Sequence, residues 1–253
     1  MTISAPVRAL ATVATFTLAA FGTVGPADAG LGPDPMFGAP TVGTCSQMTA
    51  TQAAAKSDHS TVVPCSHGHT AEVAGVVKLP QHLNWGSATV KQLYRVVAAK
   101  CLPKANAMLG RDARTRDSSV YIGYWFMPTK AQRKNGARWL SCSIARQQAR
   151  KLVKLPTSTV PFLPSGALPD TIARCLTKSV YNTPCSSRHL WRATGTFVVS
   201  GSYPGQKALN KKAIPKCASR VQPGKAYRWT YQDPTTWNVG HDHVVVCYSK
   251  THS

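Results

Sequence analysis

A short pattern of cysteine, histidine and small residues occurs twice, as PCSHGH at 64–69 and PCSSRH at 184–189. Histidine acts as an acid and as a base near neutral pH, so His69 and His189 are the candidate catalytic residues for metal-independent hydrolysis of RNA or DNA. The alternative is structural, because a histidine after such a turn can cap the turn or pack against a disulfide. Only these two histidines hold equivalent positions in both copies, which favours the structural interpretation.

A second histidine pattern lies near the C-terminus, where His241 and His243 flank Asp242. Residues two apart on a strand point to one face, so this run could supply two imidazoles to a metal ion. Zinc needs a third protein ligand and hydrogen-bonded partners around its ligands. Polar runs often mimic ligand spacing, so we expect no metal and no cofactor, with these two histidines as the candidate ligands if a metal binds.

Carboxylates are too scarce for most hydrolytic chemistry. The chain has 30 Lys and Arg against 9 Asp and Glu, and Glu72 is the sole glutamate. A glycosidase needs two carboxylates at one bond, and a metal-dependent nuclease needs carboxylate ligands. The sequence also lacks a G-x-S-x-G nucleophile motif and a glycine-rich phosphate loop. We therefore expect a protein that is not an enzyme, with a histidine-based nuclease as the alternative.

The net charge of +21 predicts anionic partners. Two runs, 130–154 and 207–228, contain eight and seven basic residues and no acid. Nearby tryptophans (Trp125, Trp139, Trp229 and Trp237) could stack on nucleic-acid bases, but large rings in small units more often fill cores, which we favour. The candidate binding residues in these runs are Lys130, Arg133, Lys134, Arg138, Lys207, Lys211 and Lys212.

The N-terminus has the features of a secretory signal peptide at residues 1–29. Arg8 precedes an uncharged apolar run, and Ala27-Asp28-Ala29 offers small residues at a cleavage site. The apolar run is short for a membrane span, and no later stretch is apolar enough to be one. We therefore expect export and no integral span after cleavage. An exported basic protein meets anionic cell-envelope polymers or a membrane surface, which we favour over nucleic acid.

Eight cysteines and no CxxC pair predict a disulfide framework in an oxidising compartment. Each set of four allows three connectivities, among which the spacing does not choose. We favour consecutive pairing because it keeps every bridge within one unit. The expected bridges are Cys45–Cys65, Cys101–Cys142, Cys175–Cys185 and Cys217–Cys247.

The two cysteine sets organise the chain. After a Gly- and Pro-rich flexible lead-in (30–43) we expect a first unit at 44–147, a Pro-rich semi-extended linker at 148–168 and a second unit at 169–250. The distance between corresponding cysteines shrinks along the chain, as duplication followed by loop deletions would give.

Each unit is predicted to be α+β, an antiparallel sheet with one main helix. In the first unit, valine-rich and aromatic runs predict strands at 61–63, 70–79, 120–127 and 137–144. A helix is expected from an N-cap at Ser87 to Pro103, with polar turns at 111–119 and 130–136. In the second, we expect strands at 191–200, 227–232 and 241–249 and a helix at 207–217 that Pro215 breaks.

These motifs resemble the actinobacterial septum formation domain family. The resemblance rests on the VPCS turn at 63–66, His69, Glu72-Val73, Gly75-Val76-Val77, Cys101, the segment 125–128, Gly136 and the segment 139–142. The second copy is more divergent, because Arg192 stands where the first has Glu72, and Tyr231 and Pro234 stand for Trp125 and Pro128.

The resemblance implies an exported or membrane-anchored protein connected with cell division, and it carries over no catalytic residue and no cofactor. Together with the residues, it predicts a binding or structural module of the cell envelope.

Overall fold

The computed structural model describes residues 33–157 and 161–251. The expected signal peptide lies outside these residues. The described part of the lead-in is packed rather than flexible: Arg138 donates its backbone N–H to Pro35 O at 2.7 Å, and the Trp139 indole donates to Phe37 O at 2.9 Å. Pro- and Gly-rich composition therefore does not keep this segment away from the sheet beside it.

The first unit contains an antiparallel sheet of six strands in the order β2-β1-β3-β5-β4, with β6 pairing β5. The strands of this sheet are β1 (Cys45–Gln47), β2 (Thr61–Val63), β3 (Ala71–Lys78), β4 (Tyr121–Phe126), β5 (Trp139–Gln148) and β6 (Lys151–Val153). Strand β5 pairs with both β3 and β4 and is buried over most of its length because helices and loops cover both of its faces.

The second unit repeats this arrangement in five strands. They are β7 (Arg174–Leu176), β8 (Asn182–Pro184), β9 (Trp191–Val198), β10 (Tyr227–Tyr231) and β11 (Val244–Lys250). Read from the β8 edge, the strand order of this sheet is β8-β7-β9-β11-β10. It corresponds strand for strand to the order β2-β1-β3-β5-β4 of the first sheet. The prediction of an α+β fold made of two similar disulfide-bonded sheets is confirmed.

The main helical segment of the first unit does not end where expected. Helix α1 (Ala50–Ala53) follows β1, and α2 (Val90–Val96) begins after Thr89, whose hydroxyl accepts the Gln92 N–H in a capping box. Thr89 therefore replaces the expected N-cap, Ser87. A π-helical turn (Val97–Cys101) then leads into α3 (Leu102–Leu109). Pro103 is tolerated because it lies in the first turn of α3, where its missing N–H has no intrahelical partner to lose.

Two segments expected to be turns are short helices. Helix α4 (Ala113–Asp117) starts at Asp112, whose carboxylate accepts the Thr115 N–H at 3.1 Å. Helix α5 (Lys130–Lys134) starts at Thr129 in a capping box with Gln132. In both cases the cap satisfies backbone donors that a polar turn would leave to water.

The second unit has one long helix, α6 (Gln206–Ala218), and a short one, α7 (Pro234–Val239). Helix α6 continues through Pro215, contrary to the expected break. Its buried residues Leu209, Ala213 and Cys217 lie four apart and anchor it on the sheet on both sides of the proline. This burial offsets the hydrogen bond that proline removes.

The four disulfides are the consecutive ones: Cys45–Cys65, Cys101–Cys142, Cys175–Cys185 and Cys217–Cys247. In each unit one bridge fastens the end of the first hairpin, and the other joins the main helical segment to the last long strand. Both units are thus closed on themselves.

The span expected to be a linker is packed instead. It contains β6, and its residues Leu155, Phe162 and Leu163 are buried in a cluster with α3 and β5. Its prolines interrupt secondary structure without preventing burial of the apolar residues between them. The two sheets also meet directly, because Arg174 donates from Nε to Ser119 O at 2.7 Å and Gln148 donates to the Ser187 hydroxyl at 2.7 Å.

Candidate functional site

The first Pro-Cys-Ser-x-x-His turn buries its last histidine. His69 is 1% exposed and its Nδ1 lies 3.0 Å from His67 O. Its Nε2 has no hydrogen-bond partner and lies 3.9 Å from the carboxylate of Glu72. Burial raises the pKa of Glu72, and the charge of the nearby imidazole acts in the opposite direction. A histidine enclosed in this way is inaccessible to a polymeric substrate.

The second turn has the same backbone contact and different charges. The Nδ1 of His189 lies 2.8 Å from Ser187 O, as in the first turn. Arg192 pairs with Cys175 across the sheet, just as Glu72 pairs with Cys45. Its guanidinium forms a bidentate ion pair with Asp170, with donor–acceptor distances of 2.5 and 3.2 Å. The hydrogen bond from Arg192 lowers the pKa of the Asp170 carboxyl.

Neither histidine pattern forms a metal centre by itself. Cys45, His69 and Glu72 lie close enough together to hold an ion, but Cys45 is in a disulfide and offers no thiolate. The expected pair His241 and His243 precedes β11 rather than lying on a strand. His241 has a positive φ of 54° and is exposed, whereas His243 stacks on Trp237 and lies 2.9 Å from Trp237 O through Nε2.

The seven candidate binding residues divide into two groups. The five lysines (Lys130, Lys134, Lys207, Lys211 and Lys212) are exposed on α5 and α6. The two arginines serve the fold as well. Arg138 donates to Pro80 O at 3.1 Å and Leu83 O at 2.5 Å, and Arg133 donates to Pro128 O at 3.1 Å. The lysines are therefore the exposed charges of this set, whereas the two arginines are half-buried and also support the fold.

A groove that the sequence did not reveal lies at the edge of the first sheet. Its volume is about 790 Å³, and it runs between α2, β4, Arg133 of α5 and the segment after α1. Four half-buried aromatic rings line it: Trp85, Tyr94, Tyr124 and Trp125. Apolar and aromatic lining with a few polar groups is typical of binding sites.

The aromatic side chains are fixed by their neighbours. The rings of Tyr94 and Trp125 are nearly parallel, with centroids 6.4 Å apart. The Trp85 indole donates to Ala137 O at 2.7 Å, and the guanidinium of Arg133 lies over its ring at 5.7 Å. The Tyr94 hydroxyl donates to Asp233 at 2.9 Å and meets the Thr236 hydroxyl at 2.6 Å. The groove is thus largely preformed.

The charged side chains that line the groove are positive. Lys56 and Arg133 line it, and its lining contains no carboxylate. Burial raises the pKa of the Tyr94 and Tyr124 phenols, so both tyrosines that line the groove are neutral at physiological pH. An acidic group on a ligand would meet complementary charge here.

A second cavity, of about 320 Å³, lies between the two units and holds two carboxylates. Gln232 donates to Asp117 at 3.1 Å. Burial, reinforced by the nearby charge of Asp242, raises the pKa of Asp117 to about 7, and burial raises that of Asp242. Arg116 and Arg174 line the same cavity. Burial therefore favours the protonated form of both carboxyls where the two units meet.

Sequence reasoning missed both cavities because their linings come from distant segments. The groove draws on residues from Ala53 to Arg133, and the acidic pair joins positions 117 and 242. The one available signal for the groove was the aromatic run at 124–126 beside the basic run that starts at Lys130. Of the tryptophans assigned to cores, Trp139 and Trp237 are buried, whereas Trp125 and Trp229 are only partly so.

One segment of the chain resembles a known protein family. It contains the first Pro-Cys-Ser-x-x-His turn, Glu72, Cys101 and strand β4. Residues 38–126 match the septum formation family. The match begins in the lead-in, ends in the first unit and includes β1 to β4, so it covers most of the groove lining. No curated protein and no solved structure matches the chain. The family match connects this segment with cell division.

Among the described residues, no helix has the length and apolar character needed to cross a membrane.

Proposed function

We propose that this protein is an exported, non-enzymatic module of the cell envelope that takes part in septum formation by binding anionic polymers through its lysine-rich surface. The septum formation domain supports the connection with cell division. The four disulfides support an oxidising location outside the cytoplasm. The signal-like N-terminus supports export.

The observation that carries the proposal is the lack of partners for the positive charge. Within residues 33–157 and 161–251, Arg192–Asp170 is the only ion pair between a lysine or arginine and a carboxylate, and the one other close contact of this kind is between His69 and Glu72. The exposed lysines of α5 and α6 therefore have no carboxylate to neutralise them. An acid-poor surface of this kind attracts polyanions and raises their local concentration.

The geometry of the histidines supports a non-enzymatic role. General acid–base catalysis needs an imidazole within hydrogen-bond reach of the reacting group. His69 is buried, and each of His69 and His189 already has its Nδ1 at the carbonyl of the residue two before it. Both imidazoles therefore act as parts of a turn.

The test is sedimentation of the purified mature protein with isolated cell walls. We expect retention at low ionic strength and release near 1 M salt, where charge interactions are screened within about 3 Å. The triple variant Lys207→Gln, Lys211→Gln, Lys212→Gln removes three exposed charges of α6 and should bind at least several-fold more weakly. The triple Lys→Arg variant keeps the charge and should bind normally.

Two outcomes would overturn the proposal. One is failure of the wild-type protein to sediment with walls at low salt. The other is degradation of RNA or DNA by the purified protein that is lost in His69→Ala or His189→Ala, which would identify the histidines as catalytic.

A further inference from the structure

Strand β4 forms one end of the first sheet and has an uncovered outer side. Along Tyr121–Phe126 its partner among the described strands is β5. At both ends the chain's own backbone already pairs with the outer side. Before β4, Ser119 bridges Ala173 and Val120 donates its N–H to Ile172 O at 2.9 Å. After β4, Met127 donates its N–H to Lys56 O at 2.8 Å.

The backbone groups between these ends point outward at alternate residues. Successive residues of a strand direct their N–H and C=O groups to opposite sides. Met127 directs its N–H away from β5, so Trp125 and Gly123, which are two and four residues before it, direct theirs the same way. Gly123 is exposed, and a Cβ there would have nothing within 4 Å. This part of the edge is open to an incoming backbone.

The aromatic groove lies over this open edge. Its lining comes from both sides of the sheet: Trp125 packs with Tyr94 of α2 on one face, whereas Tyr124 packs with Ala53 and its neighbours on the other. A cavity bounded from both faces must cross the strand between them. Its 790 Å³ accommodates a short stretch of extended chain together with its side chains.

We propose that the groove binds an extended peptide segment of a partner protein as an added strand along β4. The segment's alternate side chains enter the aromatic lining on the two faces, and an acidic side chain lies beside Lys56 and Arg133. The groove follows β4 from Gly123 onward, and the five residues to Met127 span about 15 Å, so the paired part of the segment is about four to five residues long. This goes beyond the proposed function, because it uses a different surface and a polypeptide partner in place of an envelope polymer.

Charge and backbone geometry select this occupant over a glycan. Aromatic rings alone would suit the apolar faces of sugars, but an open strand edge supplies a row of donors and acceptors at peptide spacing. The groove lining has two cations and no carboxylate, so an acidic peptide is favoured over a basic one.

The test uses a random heptapeptide phage library selected on the folded, disulfide-intact protein. Selected peptides are resynthesised with a fluorophore, and their affinities are measured by fluorescence anisotropy. We expect apolar residues at alternate positions together with Asp or Glu. Changing that acid to its amide should weaken binding several-fold at low salt, and less in the Lys56→Gln protein.

The decisive pair of variants changes one backbone donor. Gly123→Pro removes the outward N–H and places a ring on the edge, which an edge strand tolerates, so affinity should fall at least about tenfold. Gly123→Ala keeps the N–H, fits the open space and should bind like the wild type. Hydrogen exchange on the wild-type complex should also slow at Gly123 and Trp125, which requires no variant.

Equal affinities of the Pro and Ala variants, unchanged exchange at these amides, or failure to select any peptide would each overturn the inference. So would displacement of a weakly bound peptide by an N-acetylglucosamine oligomer of comparable affinity, which would assign the groove to a glycan. The cell-wall assay uses lysines outside the groove lining, so either proposal can fail while the other stands.

Discussion

The two units have the same strand order and equivalent bridges but opposite charges at the same place. Glu72 and Arg192 each lie across the sheet from the first cysteine of their unit. The first faces a buried imidazole, and the second forms an ion pair with Asp170. A position that accepts either sign is not part of a shared catalytic pair. The two units therefore share their strand pairing, their bridges and the contact of the histidine with the backbone. The charge of the residue across the sheet from the first cysteine differs between them.

The largest effect should come from the bridge that joins helix and sheet. The double variants Cys101→Ala, Cys142→Ala and Cys217→Ala, Cys247→Ala should each lose about 2–5 kcal/mol of unfolding free energy, because the unfolded chain is no longer constrained. The sequence separations of 41 and 30 residues differ too little to separate the two by more than about 1 kcal/mol. Denaturant unfolding measures both. A large inequality would break the equivalence of the units.

The next largest effect is expected on the pH dependence of stability, from Asp117 and Asp242 where the two units meet. Because burial raises the pKa of Asp117 to about 7, the folded protein keeps a proton that the unfolded chain releases near pH 4. Unfolding free energy should therefore fall as pH rises from about 4 to 7, by an amount on the order of a few kcal/mol. Asp117→Asn should flatten this slope and raise stability at pH 8, as measured by denaturant midpoints across that range.

Asp112 provides a control of opposite sign for that experiment. The Thr115 N–H lowers the pKa of its carboxyl at the start of α4, so its contribution is present at neutral pH and is lost as pH falls below about 4. Asp112→Asn should leave the slope between pH 4 and 7 unchanged. If it flattened that slope as Asp117→Asn does, the buried pair would not be its source.

A smaller effect is expected when the first unit is given the charge of the second. Glu72→Arg puts a cation beside His69, at a position where the native Glu72 side chain is only 16% exposed. Among the described residues, the first turn has no carboxylate paired at this position as Asp170 is with Arg192. We expect a loss of about 1–3 kcal/mol, because a partly buried charge without a partner is costly. Thermal or denaturant unfolding measures it. No loss would mean that the first turn tolerates charge as freely as the second.

The reverse change should have the smallest effect. Arg192→Glu removes the ion pair with Asp170, whose side chains are 39% and 51% exposed. Exposed ion pairs contribute about 0–1 kcal/mol, and the repulsion between the two exposed carboxylates that replaces this pair is of similar size, so the loss should stay near about 1 kcal/mol and shrink at high salt. A cost exceeding that of Glu72→Arg would reverse the expected ranking of the two turns.

The sequence predicted the parts of the fold that local pattern determines. Valine-rich and aromatic runs located β3, β4 and β9, and the order of cysteines indicated the two similar units. Proline was misleading at Pro103 and Pro215, because its position within a helix, and the burial around it, decide whether the helix continues. The strands around Cys45 and Cys175 are three residues long and form only through long-range pairing, so they have no local signature.

The candidate sites were less predictable. The exposed lysines follow from charge runs, which remain on the surface because charge is costly to bury. The groove depends on an edge strand and two flanking segments coming together, which needs the strand order. The acidic pair forms only where the two units meet. Neither the groove nor the acidic pair can therefore be predicted from the spacing of residues along one element.

The placement of the bridges has a consequence for proteolysis outside the cell. All eight cysteines are bonded within their own unit, and no disulfide crosses from Cys142 to Cys175. A single cut inside a bridged loop, such as between Cys101 and Cys142, leaves the fragments covalently joined. A cut between Cys142 and Cys175 leaves only non-covalent contacts to hold the halves together. A protease acting there could release a basic second half from a first half that carries the septum formation segment.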